Sequence, residues 1–287
     1  MQKEFQALAA NNTWEVVPLP KDKRPISCKW VYKVKYRADG NIERYKARLV
    51  AKGFTQKEGI DYHETFSPVI KFNTVRCLVN LSIKRDWKIH QFDVNNVFLH
   101  GDLHEEVYMK MPPGMEGSSP SMVCKLKKSL YGLKQASRQW YDKLSLALTE
   151  KGFIRSKNDH SLFTKKSSDS IVIVAVYVDD VLVIVTCNNS EEIMALKQLL
   201  DDRFKIKDLG TLNFFLGLEF LSVPNGLIMH QHKYIKELLA EYSIEDCKHV
   251  HSPLPSKLKP LFTSDDPLPD PTVYRQLIGK LNFLLHT

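Results

Sequence analysis

The chain has 287 residues, 43% of them hydrophobic and 26% charged. That balance suits a globular protein of one large domain or two lobes and excludes disordered or membrane-spanning classes. The net charge of +8 is not spread evenly: residues 21–57 carry twelve lysines and arginines against Asp22, Asp39 and Glu43, an excess of nine. A stretch of this kind suits a polyanion such as nucleic acid, with a plainly soluble basic face as the alternative.

The opening MQKEFQALAA contains an acid and no apolar core segment, so no secretory signal is expected and an intracellular setting is. It reads as a short helix ended by Asn11-Asn12. Lys29–Tyr36 alternates as a strand, Asp39-Gly40 is a strong turn signal, and Ile42–Ala51 is the return strand of a hairpin. Arg44, Lys46 and Arg48 share one face of that strand by its period of two, placed to grip a triphosphate or a template backbone unless the face is merely solvated. A turn-rich stretch at 53–75 leads into a helix at about Asn73–Arg85, with Asn73 or Thr74 as cap. Lys88–Val94 reads as a strand ending near Asp93, an acid that either meets partners at a strand end or caps the next segment.

Residues 112–120 are a loop, and Ser137 to about Lys151 is a helix with Trp140, Leu144 and Leu148 on one stripe. Lys134, Gln135 and Arg138 stand at that helix's start, where backbone amides attract anions. Ser170–Val185 holds thirteen apolar residues around the pair Asp179-Asp180. It is too short and too charged for a bilayer span, and suits two buried strands joined at an acidic tip. Two carboxylates about 4 Å apart repel by about 4 kcal/mol at an effective dielectric of about 20, a cost that a divalent cation removes. Ordinary turn chemistry is the alternative for the pair taken alone.

Ser190–Phe204 is a further amphipathic helix capped by Ser190, Thr211–Phe220 and Gly226–His230 are strands, and His232–Tyr242 is a helix. Residues 253–271 hold six prolines and read as a linker, and Tyr274–Leu285 begins another apolar helix. The five cysteines are scattered without a CxxC pair, as expected of reduced thiols, and the pairs His230/His232 and His249/His251 lack a third ligand.

The segments RYKARLVAKGF (44–54), TFSPV (65–69), QFDVNNVFLHGDL (91–103), SLYGLKQASRQWY (129–141), YVDD (177–180) and LGTLNFFLGLEF (209–220) occur in the order found in the reverse transcriptase domain of copia-type retrotransposons. The chain resembles that family from Thr13 to about Tyr274. The resemblance implies an α+β right-hand polymerase with fingers, a palm of antiparallel sheet backed by helices, and a reduced or partial thumb. Its fingers would take about 13–87 and part of 105–135, its palm about 88–104 and 136–222, and its partial thumb or connection about 223–252. The linker would then run over 253–272, and 273–287 would start the connection toward ribonuclease H.

Residue by residue, the resemblance makes Asp93, Asp179 and Asp180 the catalytic, metal-holding carboxylates for two Mg²⁺, with Mn²⁺ as a substitute. Lys46 and Arg48 would hold the incoming dNTP, Phe98 would exclude a ribose 2′-hydroxyl, and Gln135 would touch the template–nucleotide pair. Arg44, Lys134, Arg138, Tyr177, Leu216 and Gly217 would contact primer and an RNA or DNA template, Leu216-Gly217 as a primer grip. The implied reaction is two-metal phosphoryl transfer extending a primer, within a polyprotein that also carries protease, integrase and ribonuclease H. No membrane partner is expected. Three departures from the family's pattern stand out: Val97 where Ala is usual, expected to crowd the nucleotide pocket, and, after YVDD, the added Ile184-Val185 and Cys187 in place of glycine. They leave a decayed element that only binds nucleic acid as the alternative.

Overall fold

The computed structural model describes residues 1–37, 39–115, 121–167, 170–178, 190–224, 226–248 and 270–285. The chain divides into two compact units, Met1–Thr211 and Leu212–Thr287. In the first, α1 (Gln2–Ala10) is followed by β1 (Trp14–Pro18), β2 (Cys28–Tyr36), β3 (Ile42–Ala51), α2 (Phe72–Arg85) and β4 (His90–Val94). Then come β5 (Tyr108–Lys110), β6 (Met122–Leu126), α3 (Ala136–Glu150), β7 (Ile154–Arg155), β8 (Leu162–Lys166), β9 (Ile171–Ala175), α4 (Ser190–Phe204) and β10 (Ile206–Thr211). The second unit holds β11 (Phe214–Phe215), β12 (Leu218–Val223), β13 (Gly226–His230), α5 (His232–Glu241) and α6 (Thr272–Leu285). Every named strand pairs antiparallel, so the chain is a mixture of helices and antiparallel sheets. No helix among the described residues is long and apolar enough to cross a membrane.

The β2–β3 hairpin forms where the alternation and the Asp39-Gly40 turn place it. Gly40 takes φ +83° and the Asn41 amide donates to Asp39 Oδ1 at 2.9 Å, closing the turn by an Asx-type bond. Cross-strand register sets Lys33 opposite Lys46 and Lys35 opposite Arg44. Among the described residues two pairings are long-range, β1 with β6 and β4 with β10, whereas β5–β6, β7–β8–β9 and β11–β12–β13 join successive strands.

Burial explains the core. In β4 the period of two sends Phe92 and Val94 inward and leaves Asp93 on the other face, half-buried. In α3 Trp140, Tyr141, Leu144, Ala147 and Leu148 are buried along one stripe, each large side chain contributing about 2 kcal/mol by its removal from water. Trp140 meets Phe204 of α4 edge to face at 4.9 Å. Phe92 and Val94 belong to the same core cluster as Val172, Val174 and Val176, so β4 and the β9 segment run into one interior.

Several expectations are corrected. The cap of α2 is Lys71, with no side-chain bond, and the Thr74 hydroxyl instead donates to Asp159 at 2.8 Å. The stretch expected as one strand over 211–220 is broken by a two-residue turn, Leu216 at φ 52° and Gly217 at φ +80°, the left-handed pair that suits a tight hairpin. The second strand expected after the acidic tip and most of the 253–271 linker lie outside the described residues, as do Cys187, the added Ile184-Val185, His249/His251 and the side chain of Ser190. Cys28, Cys77, Cys124 and Cys247 are free thiols, and burial pushes Cys124 up to about 12.

Candidate active site

The acid at the end of β4 is the one catalytic candidate whose surroundings the structure describes. Asp93 lies opposite Lys207 of β10 in register, and among the described residues its carboxylate has no hydrogen-bond or ion-pair partner. It caps nothing: the short 3-10 turn over Val97–His100 begins from Asn96. Asp179 and Asp180 lie outside the described residues, and Tyr177, just before them, is half-buried. Among the described residues no three of His, Cys, Asp and Glu gather. A half-buried carboxylate is a hard oxygen donor and is chemically suited to Mg²⁺.

The cationic face is built by the hairpin. Lys33, Lys35, Arg44 and Lys46 oppose one another across β2 and β3, an arrangement in which like charges are directly adjacent and destabilise the strand pair. Burial, and then the neighbouring Arg48, Arg44 and Lys35 charges, holds the Lys46 ammonium below its usual range. Glu4 of α1 lies close enough to feel Arg48 and Lys46, yet burial still raises its carboxyl above the ordinary range. An incoming polyanion is the natural counter-charge for such a surface.

Arg48 and Phe98, fifty residues apart in sequence, meet on one ring that the sequence analysis did not single out. The Arg48 guanidinium carbon sits 4.3 Å from the Tyr131 ring centroid. The Phe98 ring meets Tyr131 edge on at 4.8 Å and 72°. Phe98 is buried at 9% exposure, and Val97, at 2%, is absorbed into the core cluster. The Tyr131 backbone is fixed as well, its carbonyl accepting from the Ala51 amide at 2.7 Å.

Close backbone approach makes this possible. Gly132 takes φ +89°, and a Cβ there would sit 2.2 Å from the Ala51 carbonyl oxygen; one on Gly53 would sit 2.0 Å from the Gly132 oxygen. The end of β3 and the loop before α3 therefore touch main chain to main chain.

A second residue missed by the sequence analysis, Gln56, organises the start of α3. Its Nε2 donates to Gln135 Oε1 at 3.0 Å, its Oε1 accepts from the Lys134 amide at 2.9 Å, and its carbonyl accepts from Lys134 Nζ at 3.2 Å. Gln135 is fully buried, and its Nε2 donates to the Asp61 carbonyl at 2.9 Å. Lys134 also lies 4.8 Å from the Tyr62 ring centroid. Arg138 bonds Asp142 through Nε at 3.0 Å and Glu64 through Nη1 at 3.2 Å. Arg44, 63% exposed, makes only a 3.9 Å approach to Glu43. Leu216 and Gly217 form the β11–β12 turn of the second unit.

The chain is a mixture of helices and antiparallel sheets with a half-buried acid on a strand and a cationic hairpin, and it belongs to the reverse transcriptase (RNA-dependent DNA polymerase) family, whose profile matches residues 11–256. It is 44% identical to the retrovirus-related Pol polyprotein from transposon RE1 of Arabidopsis thaliana, across 100% of this chain and 20% of that protein. It is 42% identical to the corresponding polyprotein from transposon TNT 1-94 of Nicotiana tabacum, across 90% of this chain and 20% of that protein. The copia-type expectation drawn from the six motifs is met by these relatives, and the chain spans about a fifth of their length.

Proposed function

We propose that this chain is the polymerase part of a longer Pol-type polyprotein and extends a primer on an RNA template, using dNTPs. In this reading the β2–β3 hairpin belongs to the fingers, β4, α3 and β9 to the palm, and part of the second unit to a reduced thumb or connection. The observation that carries it is the opposed cations Lys33–Lys46 and Lys35–Arg44, a surface that like-charge repulsion disfavours until a polyanion covers it.

Asp93, Asp179 and Asp180 would hold the divalent ions, which when bound lower the pKa of the primer 3′-hydroxyl and neutralise the leaving pyrophosphate. Lys46 and Arg48 bind the triphosphate, while Phe98 presses on the sugar edge and excludes a 2′-hydroxyl sterically. Arg44 tracks the nucleic-acid backbone. Lys134 and Arg138 join it by exchanging their present partners, Gln56 and Tyr62 for the first and Asp142 and Glu64 for the second, for phosphate. Tyr177 and the Leu216-Gly217 turn face the primer. Gln135, its amide already shared with Gln56 and Asp61, contributes to the template–nucleotide pair by fixing the loop that carries it. Protease, integrase and ribonuclease H parts lie elsewhere in the same polyprotein.

Primer extension on an RNA template with Mg²⁺ tests the assignment. Asp93→Asn should reduce extension by more than the ~10–100-fold that loss of even an outer-shell partner of a metal ligand causes, with primer–template affinity within about twofold of the unaltered chain, since charge contacts dominate that affinity. Extension by Asp93→Asn at the unaltered rate would remove the role given to this acid.

A further inference from the structure

We propose that Tyr131 is a positioning residue that couples triphosphate binding to sugar selection, by holding the Arg48 guanidinium and the Phe98 ring at a fixed separation. The inference rests on the reading of Arg48 and Phe98 given under the proposed function and adds a residue that reading does not use.

Three observations carry it. The Tyr131 ring presents its face to Arg48, at 4.3 Å from the guanidinium carbon, and packs against Phe98 at 4.8 Å between centroids. Arg48 Nε is buried with no hydrogen-bond partner, and among the described residues no carboxylate lies within ion-pair distance of this guanidinium. The aromatic face therefore orients the cation without an ion pair; Glu4 is near enough to feel its charge but forms no salt bridge with it, so the guanidinium can still meet an anion. Finally, the ring cannot move independently of β3, because the Ala51 amide bonds the Tyr131 carbonyl at 2.7 Å and Gly132 lies against Ala51.

In any nucleotide a short run of bonds ties the triphosphate to the sugar and bounds their separation. A single ring between the cation and the aromatic gate turns that spacing into a selection rule. Without the ring, Arg48 becomes free to follow a displaced triphosphate and Phe98 gains room to retreat from a 2′-hydroxyl. Both changes favour the ribonucleotide, and neither touches Asp93.

The test compares dGTP with GTP, which differ only at the 2′ position, on a poly(rC)·oligo(dG) primer–template. Tyr131→Phe keeps the ring and should stay within about twofold of the unaltered chain in kcat, KM and dGTP/GTP preference. Tyr131→Leu should raise KM for dGTP and lower the preference, each by ~3- to 10-fold, as loss of a cation–π contact of modest strength implies. Its kcat for dGTP should be retained, a split that a general loss of fold does not give. Should Tyr131→Leu melt early, Tyr131→Met, closer in volume, takes its place. The losses of preference in Tyr131→Leu and Phe98→Ala should be less than additive when combined. Unchanged preference in Tyr131→Leu, or a fall in kcat alone, overturns this inference and leaves the polymerase assignment intact. An unaltered chain that neither extends the primer nor shifts in melting temperature with dGTP and Mg²⁺ overturns both.

Discussion

Asp102 and Asp93 sit nine residues apart in one segment and show how two like side chains separate in role. Asp102 accepts hydrogen bonds from Lys128 and, at 2.6 Å, from Lys143 of α3, tying the tail of the QFDVNNVFLHGDL segment to the helix behind it. Burial alone would raise its carboxyl, but the two lysines outweigh that and hold it below the ordinary range. Asp93 has no such neighbour among the described residues. Asp102 is neutralised by two lysines of the protein, whereas among the described residues Asp93 has no ion-pair partner, as the proposed metal role requires. For Asp102 the folded value lies below the ordinary one of about 3.9, so its stabilisation is complete above that pH and is lost as pH falls through the folded value. Asp102→Asn should lower stability at pH 7 by about 1 kcal/mol, a figure already discounted for the solvent screening of a partly exposed pair. The deficit should shrink as urea titrations move from pH 5 toward pH 2. A deficit of constant size across that range would assign the loss to packing instead of charge.

The β2–β3 hairpin was legible from sequence because everything that fixes it is local: an alternating strand, an Asp-Gly turn and a return strand of the same period. The α3 stripe was legible for the same reason. The features that escaped are built over distance. Trp14 pairs with Leu126 and His90 with Thr211, and short strands such as Tyr108–Lys110 carry too few residues to show a period. Leu216 at φ 52° gives no warning, since a branched apolar residue rarely adopts the left-handed region. Gln56 and Tyr131 act through contacts 75 or more residues away, except where Tyr131 reaches Phe98 at a separation of 33. The helix start at Lys134–Arg138 looked open to anions because sequence could not show Gln56 and Asp61 closing on it. At this scale the hairpin also makes a prediction with two opposed readouts. Lys35→Gln removes one of the like charges facing Arg44, so the free chain should gain roughly 0.3 kcal/mol in urea unfolding. The same change should weaken primer–template binding and reduce the slope of log affinity against log salt by about 0.9. A stability gain with an unchanged salt slope would place this face away from the nucleic acid.

At the scale of the whole chain, stability is unevenly distributed between the two units. The first buries a long cluster running from Leu8 through Phe92, Trp140 and Phe163 to Phe204. Among the described residues the second buries Leu212, Phe215, Leu218, Phe220 and Leu238, with Gln231, and α6 contributes no buried residue. Among the described residues, the contacts holding that helix to its own unit include the Tyr234–Phe283 ring contact at 5.0 Å, the Tyr234 hydroxyl on the Lys280 carbonyl at 3.3 Å, Lys280 over the Tyr242 ring at 5.7 Å and an ion pair between Lys280 and Glu241. A helix of 14 residues is marginal in water without burial of one face, so these few contacts decide whether it persists. Local opening free energies follow burial, ranging from near zero at poorly packed elements to the global value in the core. Native-state hydrogen exchange should therefore rank the elements: α6 amides first, those of β11–β13 next, and the Trp140–Leu148 amides of α3 last. The α3 amides should exchange slower than α6 by roughly two orders of magnitude or more. Tyr234→Ala should accelerate α6 exchange further while leaving α3 unchanged, because the ring and hydroxyl contacts it removes lie wholly within the second unit. Equal protection of α6 and α3 would mean that the chain opens as one cooperative body, and the uneven burial would then carry no mechanical meaning.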